Sequence, residues 1–337
     1  MSIPARAHFI WIGSHLPWAY VFAILSAAEC GGLDEVVLHH TDTLGDGPEL
    51  VALRRCGGVE LRRIDPLEIL RRVGTARGDG VRLATLYQRI ESPVMKSDLL
   101  RTAILHAHGG IYLDLDTVIT RSLRPLLADR QFVGCEQIVW PEFVRASHSP
   151  PLWGRSLLLD VLRKPLRRVA PGWKLFRSIE RFYYRGINGA VMGAEPRSDL
   201  ITAYLRRLAS FEGDERIGAY AVGPDMLQTL VAGYAGGDLR VHPPDVFYPL
   251  PPEISEHWFH RRRKVDLNAV LSPATRVVHW YASVRTRALV ELIDPAYIRA
   301  KQQHQFYSAL VSRCLPGLID EARAVAPVDA RRQACAE

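Results

Sequence analysis

KSDLLRTAILHAHGGIYLDLDTVIT, residues 96–120, passes from an amphipathic run through a Gly-Gly pair into an apolar run that ends on Asp114 and Asp116. Ser92 and Pro93 stand ahead of it as an N-cap and a first-turn proline, so a helix is predicted from there to Gly109. Met95, Leu99 and Ala103 recur at four-residue steps on one face, with Asp98 and Arg101 three apart on another. Gly109-Gly110 closes the helix, and residues 111–115 predict a strand. Strand side chains two residues apart share a face, roughly 7 Å apart. Asp114 and Asp116 are therefore expected side by side among Leu113, Leu115 and Val118. Two carboxylates in apolar surroundings are costly without a cation. The economical reading is a site for a divalent metal and the diphosphate it would hold.

Working outward, residues 7–12 (AHFIWI) predict a buried strand that Gly13 and Pro17 end. A helix follows over 18–30, then a strand over 35–40, a helix over 50–56 and a short strand over 59–63. That alternation predicts an α/β domain with a mostly parallel, Rossmann-like sheet. Ligands of such sheets bind at the carboxyl ends of strands, where Gly13, Asp42 and Asp116 all fall. Further on, a helical turn is expected at 123–127, a strand at 132–135, a strand or tight loop at 186–194, and helices over 200–211 and from Val222. Pro-rich 243–252 reads as an ordered loop, 276–281 as a strand, and residues beyond about 325 as a frayed tail.

The chain has 337 residues, 48% hydrophobic and 23% charged, as in an ordinary soluble globular protein. Its net charge of +7 suits an anionic small molecule, a nucleic acid or an acidic membrane surface. Five scattered cysteines without CxxC spacing argue against a disulfide framework or a zinc site and for a reducing compartment. His106 and His108, near a helix end, lack the i,i+4 placement of helical zinc pairs. The first residues lack the basic start and long apolar run of a signal peptide, and no stretch approaches a spanning helix. A cytoplasmic protein is expected, with membrane-peripheral contact left open.

That contact is one of three roles open to residues 151–185, where nine Lys/Arg interleave with Trp153, Trp173, Phe176, Phe182, Tyr183 and Tyr184. An insertion covering an acceptor is favoured over membrane contact and over plain structure. No nucleic-acid signature accompanies the segment, so no nucleic-acid partner is expected.

The organising stretch resembles the DXD-containing sugar-transferases of the GT-A type, and within them glycosyltransferase family 32. The resemblance spans roughly residues 3–284. Ile3-Pro4 and His8–Gly13 are similar to the family's opening strand, and Ser97–Arg101 with Gly109–Asp116 match its central block. Asn188–Ala194, Gly223-Pro224, Phe247–Pro249 and His279 follow in the order of its weaker blocks. One departure is Val284, where the family has Trp. The resemblance implies a GT-A domain over residues 1–290 with helical insertions, and peripheral C-terminal helices over 291–337. It also implies sugar transfer, with retention, from a UDP- or GDP-sugar to a hydroxyl of a small molecule or glycan.

The bond that breaks releases a nucleoside diphosphate, and Mn²⁺ or Mg²⁺ stabilises the charge that grows there. Asp116 is the expected metal ligand, with Asp114 on metal or ribose and His279 as a third ligand. Trp11 and Asp42 are candidates for the nucleoside end, and Asp98 and Arg101 for the donor's sugar and ribose. Asn188 and Asp225, with Asp98, are the candidate catalytic residues, Asp225 being the base an inverting reaction would need. Each has a plainer reading. Asp98–Arg101 could be a solvated helix pair worth about 0.3–0.5 kcal/mol. Trp11 and His279 could be core residues, and Asp225 helix N-terminal charge. Arg261–Arg263 could clamp a diphosphate or simply face solvent. A nucleotide-sugar mutase or hydrolase, and a non-catalytic sugar-binding module, are the rival functions.

Overall fold

The computed structural model describes residues 2–73, 78–211 and 222–324; the expected tail beyond 325 lies outside them. The chain opens with β1 (Arg6–Trp11), α1 (Trp18–Cys30), β2 (Glu35–His40), α2 (Pro48–Arg55) and β3 (Val59–Arg63). Helices α3 (Pro66–Arg72), α4 (Asp79–Arg89) and α5 (Pro93–His108) lead into β4 (Gly110–Leu113) and β5 (Thr117–Ile119). Then come β6 (Gln131–Ile138), α6 (Glu142–Arg145), α7 (Pro150–Leu166), α8 (Gly172–Ile179) and β7 (Tyr184–Ala194). The rest is α9 (Asp199–Ala209), α10 (Pro224–Ala232), β8 (Leu239–His242), α11 (Pro244–Phe247), β9 (Val277–His279), α12 (Pro295–Lys301), α13 (Phe306–Cys314) and α14 (Pro316–Ala324).

Seven strands form one sheet in the order β3-β2-β1-β4-β7-β6-β8, and β5 pairs with β9 in a small second sheet. β1, β2, β3 and β4 pair in parallel, as does β6 with β8. β7 runs antiparallel to both neighbours. This is the α/β, mostly parallel arrangement expected of a GT-A-type domain. Period-two alternation feeds a core on each face: Phe9, Ile111, Leu113 and Val191 point to the α1 side, and Ile10, Tyr112 and Met192 to the α5 side. Phe306 and Tyr307 of α13 are buried in the α1-side core.

Helix α5 lies against the sheet, buried through most of its length, and its exit is a backbone device. Gly109 (φ 63°) and Gly110 (φ 101°) are both left-handed, and a Cβ on either would meet backbone of Pro196 or Arg6 within 2.8 Å. The Gly109 carbonyl also accepts a 2.9 Å bond from His8 Nε2, so His8 Nδ1 must accept from His39 Nε2, 2.9 Å away. That leaves His39 Nδ1 buried and unpartnered among the described residues.

Burial pushes His8 down from the ordinary 6.5 to about 3 and His39 to about 2. Both rings bind a proton more weakly folded than unfolded, so the unfolded chain gains protons first as the pH drops. These groups should leave stability unchanged above about pH 7 and erode it steadily from about 6.5 downward. Urea unfolding across that range checks the slope, which His39→Leu should make shallower.

Candidate donor and metal site

Asp114 and Asp116 do not share a strand face. β4 ends at Leu113, and the two aspartates lie on the connection from β4 into β5. The Asp114 N–H still bonds the Ala190 carbonyl of β7 at 2.8 Å. The Thr117 hydroxyl donates to the Asp114 carbonyl at 2.7 Å and tightens the bend. The chain then leaves the main sheet to pair with β9, so a connection and not a strand brings the carboxylates together. β9 is likewise shorter than the expected strand, because the Trp280 N–H turns to the Asp116 carbonyl at 3.0 Å.

Each aspartate is held by a different part of the chain. Asp116 Oδ1 lies 2.9 Å from His279 Nε2, and its Oδ2 accepts from the Ala282 N–H at 2.7 Å. Asp114 Oδ1 accepts from the Tyr112 hydroxyl at 2.6 Å, with Arg101 Nη1 at 3.6 Å. One ligand atom from each of Asp114, Asp116 and His279 lies within 4.8 Å of the others. Burial raises the Asp114 carboxyl despite Arg101. Burial raises Asp116 too, but His279 and the Ala282 N–H outweigh it and leave that carboxyl low. Burial lowers His279, and the Asp116 carboxylate more than restores it. Two adjacent carboxylates, one raised at Asp114 and one held low at Asp116, with an imidazole beside them, fit a divalent cation of the Mn²⁺ or Mg²⁺ kind.

Asp98 and Arg101 are not a solvated helix pair. They form an ion pair whose side chains are only 6% and 5% exposed. Arg101 Nη1 donates to the Gly189 carbonyl at 3.0 Å, and the guanidinium lies 5.3 Å from the Tyr112 ring centre. Burial pushes Asp98 up to about 6 against the pull of Arg101. Two glycines make room for the pair. A Cβ at Gly189 would stand 2.8 Å from Arg101 Nη2, and one at Gly223 would stand 2.5 Å from Asp98 Oδ2. These close approaches tie α5 to β7 and to the entry of α10.

The remaining candidates surround this centre unequally. Trp11 is half-buried, its ring 5.3 Å from Tyr20, and its indole nitrogen has no partner among the described residues. Asp42 clamps two strand ends, accepting from the Gly13 N–H at 2.9 Å and the Thr41 hydroxyl at 2.6 Å through the same oxygen. Asn188 Oδ1 accepts from the Ala190 N–H at 2.7 Å. Asp225, in the first turn of α10, is engaged by Arg145 at 3.0 Å through both carboxylate oxygens. Arg262 lies over Phe306 at 4.0 Å and donates to the Ala170 carbonyl, a structural employment.

Sequence reasoning missed Glu136 and Tyr281. The Tyr281 hydroxyl donates to Glu136 at 2.5 Å, and burial pushes that carboxyl up although Tyr281 and Asn188 both hydrogen-bond it. Tyr281 holds φ at +58°, a left-handed conformation that a bulky residue adopts only under strain. A lone carboxylate inside the apolar run FVGCEQIV was the available signal. Tyr20 was missed as well; its ring stacks 6.5 Å from Trp280, whose backbone N–H bonds the Asp116 carbonyl, and burial and then Asp116 push its hydroxyl up to about 12.

Removing Arg101 would strand Asp98 in the interior. Arg101→Met is expected to cost about 3–5 kcal/mol in denaturant unfolding. The double variant Asp98→Leu/Arg101→Met should recover a substantial part of that loss, because no charge is left unpaired.

Residues 68–133 match the family described as a glycosyltransferase sugar-binding region containing a DXD motif. The match does not single out family 32. No curated protein matches the chain. Among solved structures it is similar to the PaToxG glycosyltransferase, at 13% identity, covering 68% of this chain and 69% of that one with a TM-score of 0.42. It is similar to mouse xyloside xylosyltransferase 1, apo form, at 13% identity, covering 81% and 96% with a TM-score of 0.44. It is similar to the galactosyltransferase LgtC in complex with donor and acceptor sugar analogs, at 13% identity, covering 97% and 99% with a TM-score of 0.41. Over residues 68–133 the chain thus carries the DXD-containing sugar-binding region of glycosyltransferases.

Proposed function

We propose that residues 1–290 form a metal-dependent glycosyltransferase domain. It would move a sugar from a UDP- or GDP-sugar to a hydroxyl of a small molecule or glycan, with retention at the anomeric carbon. The observation that carries this reading is the convergence of Asp114, Asp116 and His279 at the end of β4, inside the matched DXD region or packed against it. Asp116, Asp114 and His279 would hold Mn²⁺ or Mg²⁺. Such an ion supplies Lewis-acid neutralisation of the charge that develops on the departing diphosphate.

The protein's own groups do the rest by position. Trp11 and Asp42 stand at the ends of β1 and β2, beside a cleft lined by Ser14, His15, Thr43 and Leu44 that suits the nucleoside. Arg101 is the fixed cation behind Asp114, and Asp98 keeps it oriented. Asn188 and Asp225 stand toward the acceptor. An oxygen of the departing diphosphate takes the acceptor's proton on the face where the acceptor attacks, so retention requires no protein nucleophile.

The test incubates the protein with UDP-, GDP- and dTDP-sugars and MnCl₂, without acceptor, and follows free diphosphate and sugar isomers by chromatography. Slow release from one donor is expected. Asp116→Asn should cut it about a hundredfold or more and weaken Mn²⁺ binding measured by calorimetry. Isomerised donor without release would overturn the transferase reading. An Asp116→Asn protein that binds Mn²⁺ and donor like the wild type would overturn the site.

A further inference from the structure

Helix α7 is apolar where it should be polar. Ser156, Leu159 and Asp160 face the protein. On the outward side stand Trp153, Leu157, Leu158, Val161 and Leu162, each 43–60% exposed. At 100° per residue these five sweep half the helix circumference, so the helix is apolar on a face left exposed among the described residues. A helix of this kind is stable in water only at the expense of a large exposed apolar patch, which marks a docking surface.

Charge says what docks there. Residues 150–185 hold nine Lys/Arg and two acidic residues, a net +7, equal to the net charge of the entire chain. The rest of the protein is therefore neutral overall. One of the two acidic groups, Asp160, is buried and paired with Arg163 and Lys164. Arg155, Lys164 and Arg168 stand exposed around the apolar face. A second copy would bring the same positive segment against itself, and a nucleic acid has no use for exposed leucines.

We propose that α7 docks this protein on the surface of an anionic phospholipid bilayer, its apolar face entering the acyl boundary and its cations meeting the headgroups. This is the arrangement of an interfacial amphipathic helix. The placement gives the docking a purpose. Trp153 packs on Trp140 at 5.2 Å, just past the end of β6, which carries Glu136. Phe143 of α6 packs on Tyr184 at the start of β7, the strand that carries Asn188. A bilayer under α7 thus lies on the Asn188 and Asp225 side, where the proposed reaction takes its acceptor. The docking itself does not depend on that reaction.

Co-sedimentation of the full chain with phosphatidylcholine vesicles, with and without phosphatidylglycerol, tests it. Binding at least about tenfold tighter to the anionic vesicles is expected, weakening as salt rises. Leu157→Glu/Val161→Glu alters only exposed positions and should lower vesicle binding about tenfold or more with an unchanged melting temperature and unchanged donor hydrolysis. Equal sedimentation with and without vesicles would overturn the proposal, as would wild-type binding by the double variant. So would a concentration-dependent dimer that Leu157→Glu/Val161→Glu dissociates, or a preference for RNA over vesicles.

Discussion

The turn at Asp114–Asp116 is the constraint on which the rest of the molecule depends. Two carboxylates held this close in partly buried surroundings have to be met from several directions at once. The chain meets them with Tyr112 and Arg101 from the α5 side of the sheet, and with His279 and the Ala282 N–H from a loop more than 160 residues away. The left-handed Tyr281 is a consequence. The backbone must reverse there for residues 279, 280 and 282 all to face Asp116, and the bond from Tyr281 to Glu136 helps to hold that costly conformation.

Much of the fold was legible because its signals are local. The proline-capped α5, the double glycine and the alternation of apolar runs with helices each act within a few residues, and the parallel half of the sheet followed from them. Two features were not local. In β7, small residues are buried on both faces, so the run GINGAVMGA carries no sign of strand direction. The end of β4 at Leu113 is set by the pairing of Thr117 with His279, a partner that no window around the DXD stretch contains.

The site shows the same division. Asp98 and Arg101 have the spacing of an ordinary surface pair, and a solvated and a buried pair look alike in sequence. What distinguishes them is the room left by Gly189 and Gly223, which come from different elements. Asp114, Asp116 and His279 were legible through the resemblance and now converge in space. The positions of Trp11 and Asp42 at neighbouring strand ends followed from the parallel sheet alone. Glu136 was hidden because one carboxylate in an apolar strand can mean either a partnered core residue or a working one.

The antiparallel β7 explains how one sheet supports two kinds of surface. On its β4 side it takes the Asp114 N–H at Ala190 and holds Arg101 at Gly189, so its middle belongs to the donor centre. Its first residues, Tyr184 and Arg185, emerge from the basic, apolar segment built on α7 and α8. A parallel strand here would have put its start at the opposite end of the strands, beside the start of β4, and separated the two. Running backwards, β7 leaves the insertion at Tyr184 and reaches the acidic turn six residues later at Ala190, so any surface on which α7 rests stands at a fixed register from the carboxylates. The inversion that sequence could not reveal is therefore the feature that joins the outer helix to the site.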